Sequence, residues 1–119
     1  MERLFVCYPK CTTCQKAEHW LKEHGISAEV RNMKEQNPSQ EELTQWYRAS
    51  GLPLRKFFNT SGIAYREQEL SKKLPDMSEE KQLALLSTDG MLVKRPILTD
   101  GKTVLVGFRE KEWEEALLK

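Results

Sequence analysis

A short apolar run, Leu4-Phe5-Val6-Cys7-Tyr8, stops at Pro9 and gives way within two residues to a helix-patterned segment that opens on Cys11-Thr12-Thr13-Cys14. This juncture constrains the fold more than any other feature. An unbroken apolar run of that length suits a strand covered on both faces. Ala17, Trp20 and Leu21 then recur at i, i+3 and i+4 until Gly25, so the spacing predicts an amphipathic helix over 12–24. Ile26, Ala28 and Val30 alternate with Ser27, Glu29 and Arg31, which predicts a second strand with its apolar residues on one face. Together these segments make a β-α-β unit.

Beyond Pro38, Ser39-Gln40-Glu41-Glu42 reads as a capping box, followed by Leu43, Trp46 and Tyr47 at helical spacing and stopped by Gly51 and Pro53. Gly51 to Gly62 reads as a loop. A further helix opens near Ser78-Glu79-Glu80 and carries Leu83, Leu85 and Leu86, so residues 35–90 are expected to form a helical insertion beside the sheet. Ile97-Leu98-Thr99 and Thr103-Val104-Leu105-Val106 flank Asp100-Gly101, a hairpin signal because glycine tolerates positive φ. Trp113, Ala116 and Leu117 mark a closing helix. The order β-α-β, helical insertion, β-β-α predicts an α/β protein of thioredoxin-like fold with a mixed four-stranded sheet. At 119 residues and 39% hydrophobic, residues 1–119 are expected to form a single domain.

Nineteen Lys and Arg against 18 Asp and Glu give a formal charge of only +1. No global field therefore draws the chain to nucleic acid or membrane, and neither is expected as a direct partner. The N-terminal apolar run is too short for a signal sequence, and nothing approaches the ~20 apolar residues of a membrane span, so a cytoplasmic location is expected. The three cysteines fall within eight residues. They cannot staple distant segments, and their spacing points to chemistry.

Only a thiolate is a useful nucleophile, and a free cysteine, with a pKa of about 8.5, is mostly protonated at neutral pH. If the helix begins near residue 12, Cys11 meets unpaired N–H groups and the positive end of the helix dipole, with Lys10 adding a nearby cation. Cys14 lies about 60° around the helix, within reach of a disulfide formed at Cys11. Cys11 is thus the expected attacking thiolate and Cys14 the resolving thiol, the pair ending as a disulfide. A zinc half-site and a pair of inert core cysteines are the competing readings. No second Cys pair exists, however, and His19 would point about 140° away from Cys14, so no metal is expected. Cys7 suits a small buried side chain, and His19 and His24 read as surface or helix-end residues.

Lys94-Arg95-Pro96 precedes the hairpin, where a proline needs a strand edge or a special conformation. A cis bond at Pro96 would let the adjacent backbone face Cys11; an ordinary trans proline at a strand entry is the alternative. Arg95 and Arg109 lie at opposite ends of the hairpin segment, and both could face the sheet end holding Cys11, where guanidinium groups bind oxyanions and stabilise a thiolate.

Three separated motifs, Tyr8-Pro9-Lys10-Cys11-Thr12-Thr13-Cys14, Arg95-Pro96-Ile97 and Gly107-Phe108-Arg109-Glu110, resemble the arsenate reductase (ArsC)/Spx family over nearly the whole chain. The resemblance implies a thioredoxin-like fold with a helical insertion and a cis proline at Pro96. In glutaredoxin-dependent arsenate reductases one cysteine attacks arsenate and three arginines hold it. Cys11 matches the nucleophile, and Arg95 and Arg109 match two of the arginines. The third position falls on Asn59, with Arg55 one turn earlier as a substitute. Those reductases lack a cysteine at the position of Cys14. The Cys-x-x-Cys form is similar to Spx, a regulator that binds RNA polymerase and uses the pair as a redox switch. With its last predicted helix shortly before Lys119, the chain is expected to lack the C-terminal extension typical of Spx and to be a short ArsC-like member. The expected function is thiol-disulfide oxidoreduction of an oxidised protein or small-molecule substrate. It would need no bound cofactor and would draw on an external thiol reductant, glutathione with glutaredoxin or thioredoxin. Arsenate reduction and Spx-like regulation through RNA polymerase are the alternatives.

Overall fold

The computed structural model describes residues 3–118. Strand β1 (Leu4–Cys7) leads into α1 (Thr12–Glu23) and β2 (Glu29–Asn32). The insertion follows, with α2 (Gln40–Ser50), α3 (Ile63–Glu67), α4 (Leu70–Lys73) and α5 (Glu79–Leu86) joined by 3-10 turns at Leu54–Phe57, Leu74–Asp76 and Gly90–Leu92. Strands β3 (Ile97–Thr99) and β4 (Val104–Val106) and helix α6 (Glu110–Leu117) complete the chain. The sheet order is β2-β1-β3-β4, with β1 and β2 parallel and the other two pairings antiparallel. This is the mixed four-stranded, thioredoxin-like sheet that the element order predicts.

Alternation along β1 divides the interior into two layers. Phe5 and Cys7 point to one face, where they join Cys14, Ala17, Trp20 and Leu21 of α1, Leu98 of β3 and Trp113 of α6. Aromatic edges lock this layer: the Trp113 ring meets Phe5 at 6.4 Å, Trp20 at 6.0 Å and Phe108 at 4.9 Å, each near perpendicular. Val6 points the other way, into a layer built with Met33, Leu43, Leu86, Ile97 and the rest of the insertion.

Local chemistry explains the main helix starts. At α2 the Ser39 hydroxyl accepts from the Glu42 N–H at 3.1 Å, and the Glu42 carboxylate accepts from the Ser39 N–H at 3.0 Å, forming the expected capping box. The helix ends on Gly51, whose φ of 70° is left-handed. Ser78 caps α5 from one side only, its hydroxyl accepting from the Lys81 N–H at 3.2 Å.

Two expectations are corrected. The second strand runs over Glu29–Asn32 rather than 26–31, and its apolar residues do not share a buried face. Val30 is 54% exposed, because β2 is an edge strand and Ile26 and Ala28 pack instead beside α1 before the strand begins. Gly51 to Gly62 is not a plain loop either. It holds the Leu54–Phe57 turn, which buries Leu54 and Phe57, and it pairs Phe58 with Val93 in an antiparallel bridge.

Among the described residues, no helix is long and apolar enough to cross a membrane.

Candidate active site

Cys11 stands at the N-cap position of α1 in extended backbone, and its own N–H donates to the Tyr8 carbonyl at 2.9 Å. The first turn of α1 holds no acid, and no hydroxyl or carboxylate caps it. Its N–H groups are therefore directed toward the Cys11 sulfur, which is partly exposed. One turn inward, Cys14 is 2% exposed and accepts a 3.4 Å contact from the Tyr8 N–H. The two cysteines approach to 3.7 Å, and all three cysteines are free thiols. The disulfide expected of the oxidised pair is not formed in this structure.

The electrostatics separate the two thiols. Burial alone would push the Cys11 thiol up. The Cys14 N–H, the Arg95 guanidinium, the Cys14 thiol and the Thr13 N–H together outweigh it and hold Cys11 below its usual value. Burial pushes Cys14 the other way; the Tyr8 N–H offsets part of that rise, and the neighbouring Cys11 charge adds to it. Cys14 therefore keeps its proton and donates it toward the Cys11 sulfur. Cys7, at the end of β1, is raised to about 11 by burial, by Glu18 and by Cys11, and stays neutral as expected of a buried strand residue.

The cation at the sulfur is Arg95. Lys10, expected to contribute, is exposed and is not among the leading groups that lower the Cys11 thiol. The chain places Arg95 by three devices. Gly90 passes so close to Met33 that a Cβ there would lie 1.9 Å from its carbonyl oxygen, which sets the path of the following residues. The Asn59 N–H donates to the Leu92 carbonyl, and the Lys94 N–H to the Phe57 carbonyl, both at 2.8 Å. The Arg95–Pro96 peptide is cis, with Pro96 buried and its carbonyl accepting from the Gly107 N–H at 2.8 Å.

The remaining candidates are placed elsewhere. Arg109 is at the start of α6, 79% exposed, with its Nε 3.8 Å from Glu112; it joins that first turn rather than Cys11. Asn59 is half-buried, with its carboxamide against Gly62, where an added Cβ would come within 2.8 Å of Nδ2. Arg55 is exposed on the Leu54–Phe57 turn. Sequence reasoning missed the surroundings of Arg95: its Nη1 lies 3.9 Å from Met91 Sδ, and its guanidinium carbon is 5.3 Å from the Tyr8 ring centre. Lys34 Nζ stands 5.9 Å from the same ring. Among the described residues, no group of three or more His, Cys, Asp or Glu side chains is placed to hold a metal ion.

Comparison with known proteins places the fold and the sequence in a family. The ArsC family model matches residues 7–116, spanning both cysteines, Arg95 and Arg109. The uncharacterized protein YusI of Bacillus subtilis is 56% identical over 97% of this chain and 98% of its own length. The regulatory protein MgsR of the same organism is 31% identical, covering 91% of this chain and 84% of its own. The crystal structure of an ArsC family related protein from Bacteroides fragilis superposes with a TM-score of 0.94 at 54% identity, over 97% of both chains. With the family model matching residues 7–116 and relatives of 54–56% identity covered nearly end to end, the chain belongs to the ArsC family.

Proposed function

We propose that this protein is a thiol-disulfide oxidoreductase in which Cys11 attacks and Cys14 resolves. The observation that carries the reading is the opposite treatment of two sulfurs 3.7 Å apart: one is favoured as an anion at an open helix start, the other is buried and kept protonated. The Cys11 thiolate attacks a substrate disulfide, forming a mixed disulfide and releasing one substrate thiolate. Cys14 then gives up its proton and attacks the Cys11 sulfur. That step releases the second thiolate and closes the Cys11–Cys14 disulfide. Two electrons pass to the substrate, and an external thiol reductant, thioredoxin or glutathione with glutaredoxin, restores the dithiol.

A Cys14→Ser variant is expected to accumulate mixed disulfides at Cys11 that non-reducing electrophoresis and mass spectrometry detect. Turnover with a dithiol reductant should collapse. Unchanged turnover with no trapped species would remove the division of roles.

Arg95 beside Cys11 also supports a second reading, arsenate reduction, in which the guanidinium holds the oxyanion. Asn59 at the third arginine position and the exposed Arg109 weigh against it. Arsenate-dependent consumption of thiol reductant is its assay. Likeness to MgsR supports a third, redox-controlled regulation through RNA polymerase, which pull-down of polymerase under oxidising and reducing conditions would test.

A further inference from the structure

Tyr8 is the first residue beyond β1, and its peptide groups serve both cysteines. The carbonyl accepts from the Cys11 N–H at 2.9 Å, and the N–H meets Cys14 Sγ at 3.4 Å. Its ring meanwhile carries two cations, with the Arg95 guanidinium carbon 5.3 Å and Lys34 Nζ 5.9 Å from the ring centre. Both are inside the roughly 6 Å range of a cation–π contact. Among the described residues, no carboxylate lies within ion-pair distance of Arg95; beside the Cys11 sulfur it also makes a weak contact to Met91 Sδ at 3.9 Å.

A long side chain loses rotamer freedom when it is held, so a neighbour other than the reacting sulfur must hold it. A carboxylate could do so but would cancel the positive charge that the Cys11 sulfur feels. An aromatic face restrains the guanidinium and leaves its charge intact.

From this juxtaposition we infer that Tyr8 is a positioning residue that clamps Arg95 beside the Cys11 sulfur through its ring face. The inference rests on Cys11 as the nucleophile of the proposed function. It assigns a role to the tyrosine that opens the first motif: the residue three before the attacking cysteine needs a π-face, and its hydroxyl is dispensable.

The test is the rate of Cys11 alkylation by iodoacetamide as a function of pH, read at Cys11 by mass spectrometry in the full chain with no substrate present. Tyr8→Leu is expected to slow alkylation about twofold to fivefold near pH 6 and to leave it unchanged above about pH 9.5, where the thiol is ionised in either protein. Tyr8→Phe should restore the wild-type profile. In an Arg95→Met background, Tyr8→Leu should add nothing. A slowing that is equal at every pH, that Phe does not rescue, or that persists without Arg95 would overturn the assignment. Should Tyr8→Leu fail to fold by circular dichroism, Tyr8→Trp takes its place. Its larger face is expected to give alkylation at least as fast as wild type near pH 6, and a slower rate there would also overturn the clamp. An ordinary free-thiol profile in the wild-type protein would instead remove Cys11 as the activated nucleophile, so the two failures are distinguishable.

Discussion

Two helix starts in this molecule solve the same problem in opposite ways. At α2 every device is used: Ser39 and Glu42 cap each other's N–H groups, and Arg31 grips the Glu42 carboxylate with two bonds of 2.7 and 2.8 Å. At α1 the corresponding position holds Cys11, with no capping hydroxyl, no acid in the first turn and a cation, Arg95, at the sulfur. The closed start gives stability, whereas the open one leaves its N–H groups and dipole to an anion that can react. A helix start used for chemistry forgoes capping of the kind worth about 0.5–2 kcal/mol.

Exchanging the chemistry of the open start breaks the comparison most severely. Cys11→Ser puts a good N-cap residue where the nucleophile stood. Thiol-disulfide exchange is expected to fall by on the order of 10³-fold or more, while thermal or urea unfolding should show a gain of about 0.5–1 kcal/mol. Retention of exchange would mean that Cys14 or Cys7 is the attacking thiol. A loss of stability would mean that the Cys11 sulfur already caps α1 as well as a hydroxyl can.

The closed start should respond in stability alone. Glu42 is held near 2, well below its usual 4.5, chiefly by Arg31, while partial burial opposes the shift and Ser39 assists it. A depressed carboxylate stabilises the fold fully above its unfolded value and loses that contribution as pH falls through its folded value, here from about 4.5 down toward about 2. Glu42→Gln is therefore expected to cost about 1 kcal/mol at neutral pH, a figure discounted because the side chain is a third exposed. The acid limb of the stability curve should flatten between those values. Cys11 alkylation should not change; if it does, the two starts are coupled through the insertion.

The contrast also marks what the sequence makes legible. Ser39 to Glu42, Asp100-Gly101 and the turn from Pro9 to Cys14 are short-range instructions: the groups that satisfy one another lie within a few residues, so spacing alone identifies them. Val30 is different. Its alternation with Glu29 and Arg31 is a true strand pattern, but only the place of β2 at the sheet edge shows that no layer covers it. The cation environment is further out of reach. Tyr8, Lys34 and the Met91-to-Arg95 stretch come from three separate segments, and they meet because Gly90 closes on Met33 and Phe58 pairs with Val93. Arg95 and Arg109 are alike as sequence; tertiary placement turns one toward the sulfur and the other toward Glu112.

The finest test makes the open start resemble the closed one without touching a cysteine. Thr12 is exposed at the first position of α1, in a turn that carries no acid, whereas the first turn of α2 carries Glu41 and Glu42. Thr12→Glu adds a charge that the helix dipole favours by about 0.3–1 kcal/mol and that the Cys11 thiolate opposes by a similar amount. Alkylation of Cys11 by iodoacetamide should therefore slow about twofold to fourfold near pH 6, with the difference vanishing once the thiol is fully ionised. Because the added carboxylate is in solvent, salt near 1 M should recover most of the lost rate. The Arg95 contribution, partly sheltered beside Tyr8, should survive the same salt. An effect on Cys11 that salt leaves intact would mean that Thr12→Glu moved the backbone of the turn, and that the first-turn N–H groups act through geometry more than through charge.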